Sequence, residues 1–174
     1  MILFDGHVVV SAFQKISIYT PDGKKKGDWV AHQRNVDKMT ASAEGNIWSC
    51  SGNEIRIWRV DLKDPNFSSP PCIHMSTIHT APITTLHACT FDVEGQTRNF
   101  VFTCSLEKNL LLWDASSLTP ITEFLFKEEQ EIGNEVLSLG PKDSSILIGS
   151  SFISLSSKGS GKLYVIQFQP GDLV

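Results

Sequence analysis

Cys72, His74 and His79 in CIHMSTIH, with His87 and Cys89 on the next apolar run, carry the donor atoms of a zinc site. Zinc takes about four N or S ligands in tetrahedral array, and residues 87 and 89 of one strand share a face. No fourth ligand stands at motif spacing from the first three. The reading adopted is one buried histidine among core and surface residues, with no metal. SSKGSGKL, Ser156 to Leu163, has the glycines and lysine of a phosphate loop. Such a loop runs Gly-x-x-x-x-Gly-Lys-Ser/Thr between a strand and a helix. Here Ser156 replaces the first glycine, Leu163 replaces the hydroxyl residue, and strand-like YVIQF follows. It reads as a hairpin loop, with no nucleotide cofactor. Nucleophilic catalysis needs Ser or Cys beside a His and an orienting acid, and no Gly-x-Ser-x-Gly context occurs. The acids of KEEQE, Glu128, Glu129 and Glu131, read as solvated charge in a linker. Lys24, Lys25 and Lys26 form the only basic run. It is either a solubilising loop or a contact for an acidic partner or anionic surface, where each lysine contributes about 1 kcal/mol.

Any such chemistry must be held by a modest chain. The 174 residues are 41% hydrophobic and 20% charged, which suits one soluble globular domain or part of one. The net charge of −4 argues against a nucleic-acid partner, since phosphate neutralisation needs clustered basic surface. No apolar run reaches the roughly 18–20 residues of a membrane span. The N-terminus lacks the basic region of a signal peptide, so Cys50, Cys72, Cys89 and Cys104 read as reduced, mostly buried thiols and the chain as cytoplasmic.

The elements read as strands throughout. HVVVSAF and KISIYT precede Pro21-Asp22-Gly23, a turn signal. NIWSCSG and EIRIWRV flank a tight Gly52-Asn53 turn. NFVFTCSL and NLLLWDA flank Glu107-Lys108, and SILIGSSF and KLYVIQF flank the Ser/Gly/Lys loop. No dozen residues carry a helical period. Four strands end alike at Tyr19, Trp58, Trp113 and Ile166, at intervals of 39, 55 and 53 residues. About 40–45 residues with four strands per unit is the period of propeller blades. LKDPNFSSPPC and DVEGQTRN account for the longer intervals as loop insertions. The expected fold is therefore all-β, with units at residues 1–33, 34–79, 80–131 and 132–174.

The stretch from His79 to Phe124 resembles one full WD-repeat blade, and the stretch from Val36 to Asp61 resembles a second. ITTLHACTF would be the inner strand, NFVFTCSL the second, NLLLWDA the third and PITEFLF the outer one. The resemblance implies a β-propeller of four-stranded antiparallel blades. It also implies a buried hydrogen-bond network in which the Trp ending the third strand joins a second-strand hydroxyl, a loop His and a turn acid. Carried over, these are Trp113, Thr103, His79 and Glu107. Trp58 is the counterpart in the other blade, where the matching acid position holds Gly52, so that network should lack its acid. Asp114 is expected to face the turn and solvent.

The resemblance covers about three and a half blades, the first entered partway and the last ending after its third strand at Phe168. Propellers close with roughly four to eight, so the missing blades would come from a longer chain, a second copy or a partner. The implied function is a non-catalytic protein-interaction scaffold within a larger regulatory or signalling protein, such as an exchange factor or a kinase with an accessory propeller. Rim residues Lys24, Lys25, Lys26, Trp29, Arg34, Asn35 and Arg98 are the candidate contacts, and Trp29 serves equally for outer-strand packing. The alternative is a propeller-fold enzyme with its site at the channel mouth. It would need convergent acid-base groups, whereas the inner strands KMTASA, ITTLHACTF and VLSLG offer only Lys38 and His87.

Overall fold

The computed structural model describes residues 1–64, 67–126, 131–138, 145–152 and 161–167. All regular structure among them is β, in fifteen strands arranged as antiparallel meanders. No helix among the described residues is long and apolar enough to cross a membrane. The chain divides into two compact units, Met1–Ile78 and His79–Val174. The segment around SSKGSGKL before Gly161, and residues 127–130 of KEEQE, lie outside the described residues.

The first unit holds two four-stranded sheets. One is β1 (Ile2–Phe4), β2 (His7–Ala12), β3 (Lys15–Tyr19) and β4 (Lys25–Val30). The other is β5 (Lys38–Ala41), β6 (Asn46–Ser51), β7 (Glu54–Arg59) and β8 (Cys72–Ser76). The expectation that the first repeat is entered partway is overturned. The three residues of β1 pair with β2 across Asp5-Gly6 and supply the fourth strand. A strand this short has too little alternation to register in the sequence.

Period-two burial builds the core between these sheets. Val9, Ile16 and Ile18 from one sheet and Ile47 and Trp58 from the other join a single buried cluster. Its centre is aromatic: the Trp29 and Trp58 rings stand 5.8 Å apart, tilted by 56°, and Phe67 meets Trp29 edge-on at 6.5 Å. These offset and T-shaped geometries suit the ring quadrupole. Leu62 and Phe67 come from the stretch LKDPNFSSPPC, whose described residues before Cys72 form no strand, as expected, and bring both side chains onto the core. The cover fixes residue 27 as glycine. A Cβ there would lie 2.8 Å from the Phe67 ring and 3.0 Å from the Ser68 carbonyl oxygen.

The second unit holds β9 (Ile83–Val93), β10 (Gln96–Ser105), β11 (Asn109–Asp114) and β12 (Thr119–Leu125) in one sheet. A second sheet has β13 (Glu131–Ser138), β14 (Ser145–Phe152) and β15 (Gly161–Gln167). The stretch DVEGQTRN is not a loop. It continues both strands of a long hairpin, with Gln96 opposite Val93 and only Glu94-Gly95 turning the chain. Both turn residues have positive φ, 51° and 78°, the geometry that matches strand twist. Side-chain bonds close the ladder: Thr97 Oγ1 to Asp92 Oδ1 at 3.0 Å and Thr90 Oγ1 to Asn99 Oδ1 at 2.8 Å. Cross-strand pairing of this kind explains why polar residues here signalled a loop falsely. The core beneath is Cys89, Phe91, Val93, Phe100, Phe102, Cys104, Leu110 and Leu112, with Ile166 of β15 packed against it.

Gly27→Ala is expected to cost about 1–3 kcal/mol through overpacking against Phe67 and Ser68. Urea melts check this, and a loss below about 0.5 kcal/mol, the level of ordinary surface changes, would show that the loop is not seated there.

Candidate functional site: two buried histidine clasps

Both units contain the same four-group chain of hydrogen bonds. In the second unit Trp113 Nε1–H donates to Thr103 Oγ1 at 3.0 Å. Thr103 Oγ1 lies 2.7 Å from His79 Nε2, and His79 Nδ1 lies 2.6 Å from Glu107 Oε1. The strands place these groups by register. Thr103 sits in the middle of β10, Trp113 near the end of β11, and Glu107 in the turn between them. The segment before β9 is tied to that turn. Thr80 N–H donates to Glu107 Oε2 at 2.7 Å, as does the Thr80 hydroxyl, and Ser105 Oγ donates to the Ala81 carbonyl at 2.9 Å.

The first unit repeats the arrangement with residues that the sequence reading missed. Trp58 Nε1–H donates to Ser49 Oγ at 2.9 Å. Ser49 Oγ lies 2.8 Å from His32 Nε2, and His32 Nδ1 lies 2.9 Å from Glu54 Oε1. The expectation that this network lacks its acid is corrected: Glu54 supplies it, four residues before Trp58. The cause is turn length. Gly52-Asn53 is a two-residue turn, and Ser51 pairs directly with Glu54. The acid therefore stands at the first residue of β7 instead of inside the turn. Arg56 adds a brace, donating through Nε to Glu54 Oε1 at 2.8 Å and through Nη1 to the Ala31 carbonyl at 3.1 Å. Asp37 accepts the Gly52 N–H at 2.7 Å. The signal for His32 and Ser49 was present as a loop His and a second-strand hydroxyl nine residues before Trp58, one residue closer than Thr103 is to Trp113.

A hydroxyl, an imidazole and a carboxylate in line have the connectivity of a hydrolytic triad. Their protons are committed otherwise. An ionised carboxylate only accepts, so the histidine Nδ1 carries the proton and Nε2 accepts the hydroxyl proton. The hydroxyl oxygen in turn accepts the indole N–H. Ser49, Thr103, His32 and His79 are all buried to within 1%. The hydroxyl is thus saturated and out of reach of a substrate, and the chain works as a clasp that satisfies buried polar groups.

Electrostatics point the same way. Burial pushes the His32 imidazole below its ordinary value, against the pull of Glu54. Burial works to raise Glu54, but hydrogen bonds from Arg56 and His32 outweigh it and hold the carboxyl low. Glu107 is held low in the same way, with burial overcome by Thr80 and His79. Burial drives the Cys50 thiol up to about 12 and raises Cys89 and Cys104 as well, which removes them as nucleophiles. Cys72 is exposed, and His74 follows it on β8. Among the described residues no three His, Cys, Asp or Glu side chains cluster in metal-holding geometry.

The candidate rim contacts separate into three groups. Trp29 takes the packing alternative and not the rim one: it is 5% exposed, with its ring tilted against Trp58 and edge-on to Phe67. Arg98 is committed within its own sheet. Its Nη2 donates to Asp114 Oδ2 at 2.8 Å and its guanidinium lies over Phe100 at 5.7 Å. Asp114 is consequently buried, correcting the expectation of solvent exposure, although it does face its turn and accepts the Ser116 and Ser117 N–H groups. Lys26 reaches the Leu62 carbonyl. Lys24, Lys25, Arg34 and Asn35 remain exposed, with Lys24 on Asp22 at 2.9 Å and Lys25 on Asp28 at 3.0 Å. No family model and no curated protein matches this chain.

Since both indoles are clasped, Trp58→Ala and Trp113→Ala should each cost about 3–5 kcal/mol. Ser49→Ala and Thr103→Ala should each cost about 1–3 kcal/mol by orphaning a buried indole N–H. Denaturant melts of the four variants test the symmetry, and an indifferent Ser49→Ala would remove the first clasp from the account.

Acid should loosen the first unit in two stages. His32 and Glu54 both have folded values below their unfolded ones, so the unfolded state binds more protons and stability falls as pH falls. The contribution is complete above the unfolded histidine value of 6.5, declines below it, and declines again below the carboxyl value of 4.5. Melting temperature against pH reads this directly, and His32→Gln should abolish the upper stage.

Proposed function

We propose that the chain is a segment of a WD-repeat β-propeller that serves as a non-catalytic protein-interaction scaffold in a larger cytoplasmic regulatory or signalling protein. The observation carrying this reading is the pair of clasps. Two sheets from separate units each join a third-strand indole, a second-strand hydroxyl, a loop histidine and an acid. This recurrence supports a repeat whose internal polar groups are spent on rigidity. Rigid repeats present variable turns as contact surface. The burial of Ser49 and Thr103 and the raised thiols of Cys50, Cys89 and Cys104 support a non-catalytic role for these clasps. Lys24 and Lys25, on the exposed turn into β4, are the proposed contact edge, together with Arg34 and Asn35 between β4 and β5.

Amine-reactive cross-linking of the protein in a lysate of its own cells, read by mass spectrometry, tests this. The expected result is cross-links from Lys24 or Lys25 to a defined second polypeptide, lost on Lys24→Ala/Lys25→Ala substitution. Cross-links confined to Asp-adjacent lysines of the same chain would contradict a scaffold role for this edge.

A further inference from the structure

A polar cavity of about 240 Å³ opens beside the first clasp, lined by Gln33, Arg34, Ser51, Gly52, Asn53 and Glu54. Two of its walls are unspent. Ser51 is 8% exposed, and its hydroxyl makes no hydrogen bond among the described residues. The hydroxyl is therefore open to the cavity and not enclosed by protein. Arg34 is exposed and makes no ion pair or side-chain hydrogen bond among the described residues. Three further walls are fixed in place. Gly52 N–H is held by Asp37, Gln33 is anchored through its carbonyl to Gln14 Nε2 at 2.9 Å, and Glu54 is braced by His32 and Arg56.

We infer that this cavity receives an acidic side chain, Asp or Glu, from a protein partner, with Arg34 and Ser51 as the recognising groups. A guanidinium offers a planar fork that matches a carboxylate with two parallel N–H bonds, and the Ser51 hydroxyl can donate a third. The volume holds a carboxylate with its methylene stem and a bridging water. Glu54 selects the charge of the occupant. Its carboxylate lines the cavity and is only partly offset by Arg56, so a monoanion is tolerated where a phosphate dianion is repelled. The inference rests on the protein-interaction reading above and names the chemistry of the partner at this one place.

The test is a titration of the ¹⁵N-labelled protein at low salt with three blocked amino acids: N-acetyl-glutamate methylamide, its glutamine isostere and its phosphoserine analogue. The glutamate probe is expected to give saturable shifts at the Gly52 and Asn53 amides, at least tenfold weaker in Arg34→Gln and several-fold weaker in Ser51→Ala. The glutamine probe should give none. Equal responses to glutamate and glutamine, a response unchanged in Arg34→Gln, tighter binding of the phosphoserine probe, or no saturation by any probe would each overturn the assignment. A negative titration alongside intact cross-links from Lys24 or Lys25 would overturn the cavity alone and spare the scaffold. Loss of the cross-links with a positive titration would do the reverse.

Discussion

The indole N–H groups of Trp58 and Trp113 each meet a hydroxyl acceptor inside their own sheet, and both units are organised around those two bonds. Trp58 and Trp113 each fill the end of a third strand, where their rings exclude water from the core. Leaving either N–H unpaired would cost about 1–3 kcal/mol of what the ring's burial contributes. Each unit answers with a hydroxyl one strand over, then a histidine, then a carboxylate at the rim. The chain of bonds runs from the core outward to the turn, so the charge sits where water can still reach it. Neutral donors and acceptors occupy the buried positions.

The same chain sets the positions of loops that regular hydrogen bonding does not reach. The histidine precedes its sheet, whereas the hydroxyl, indole and acid lie within it. One buried imidazole therefore pins an incoming segment against the β6–β7 or β10–β11 turn. Around this pin the two units differ. The second uses Thr80 to occupy the far oxygen of Glu107. The first uses Arg56 on the near oxygen of Glu54 and leaves a cavity bounded by Arg34 and Ser51. The two units thus share the geometry of the pin and differ in what surrounds it.

Much of this was legible in the sequence. Period-two patterning and turn residues marked the long strands, and the spacing of Trp58 and Trp113 marked a repeat. The partners of Trp113 could be named because its turn has ordinary length. Those of Trp58 were hidden because Gly52-Asn53 shortens the hairpin and shifts the acid to Glu54, which reads as a plain strand residue. Trp29 could be read either as a rim contact or as packing because its strand is polar on both sides. Its burial comes from Phe67, whose arrival from a distant loop has no local signature. Arg98 looked free because its partner Asp114 is set by cross-strand register. DVEGQTRN looked like a loop because paired polar residues on a long hairpin carry the composition of one. In each case the missing information was tertiary: which residue stands opposite, and what covers the strand.

The central claim is that His32 and His79 act as proton-fixed braces and not as bases. Long-range ¹H–¹⁵N spectra of the histidine rings at neutral pH measure this most directly. The account predicts that both rings carry their proton on Nδ1, with that N–H slow to exchange and Nε2 bare as a hydrogen-bond acceptor. Protonated Nε2 with a bare Nδ1, or rapidly exchanging ring protons at both positions, would contradict it.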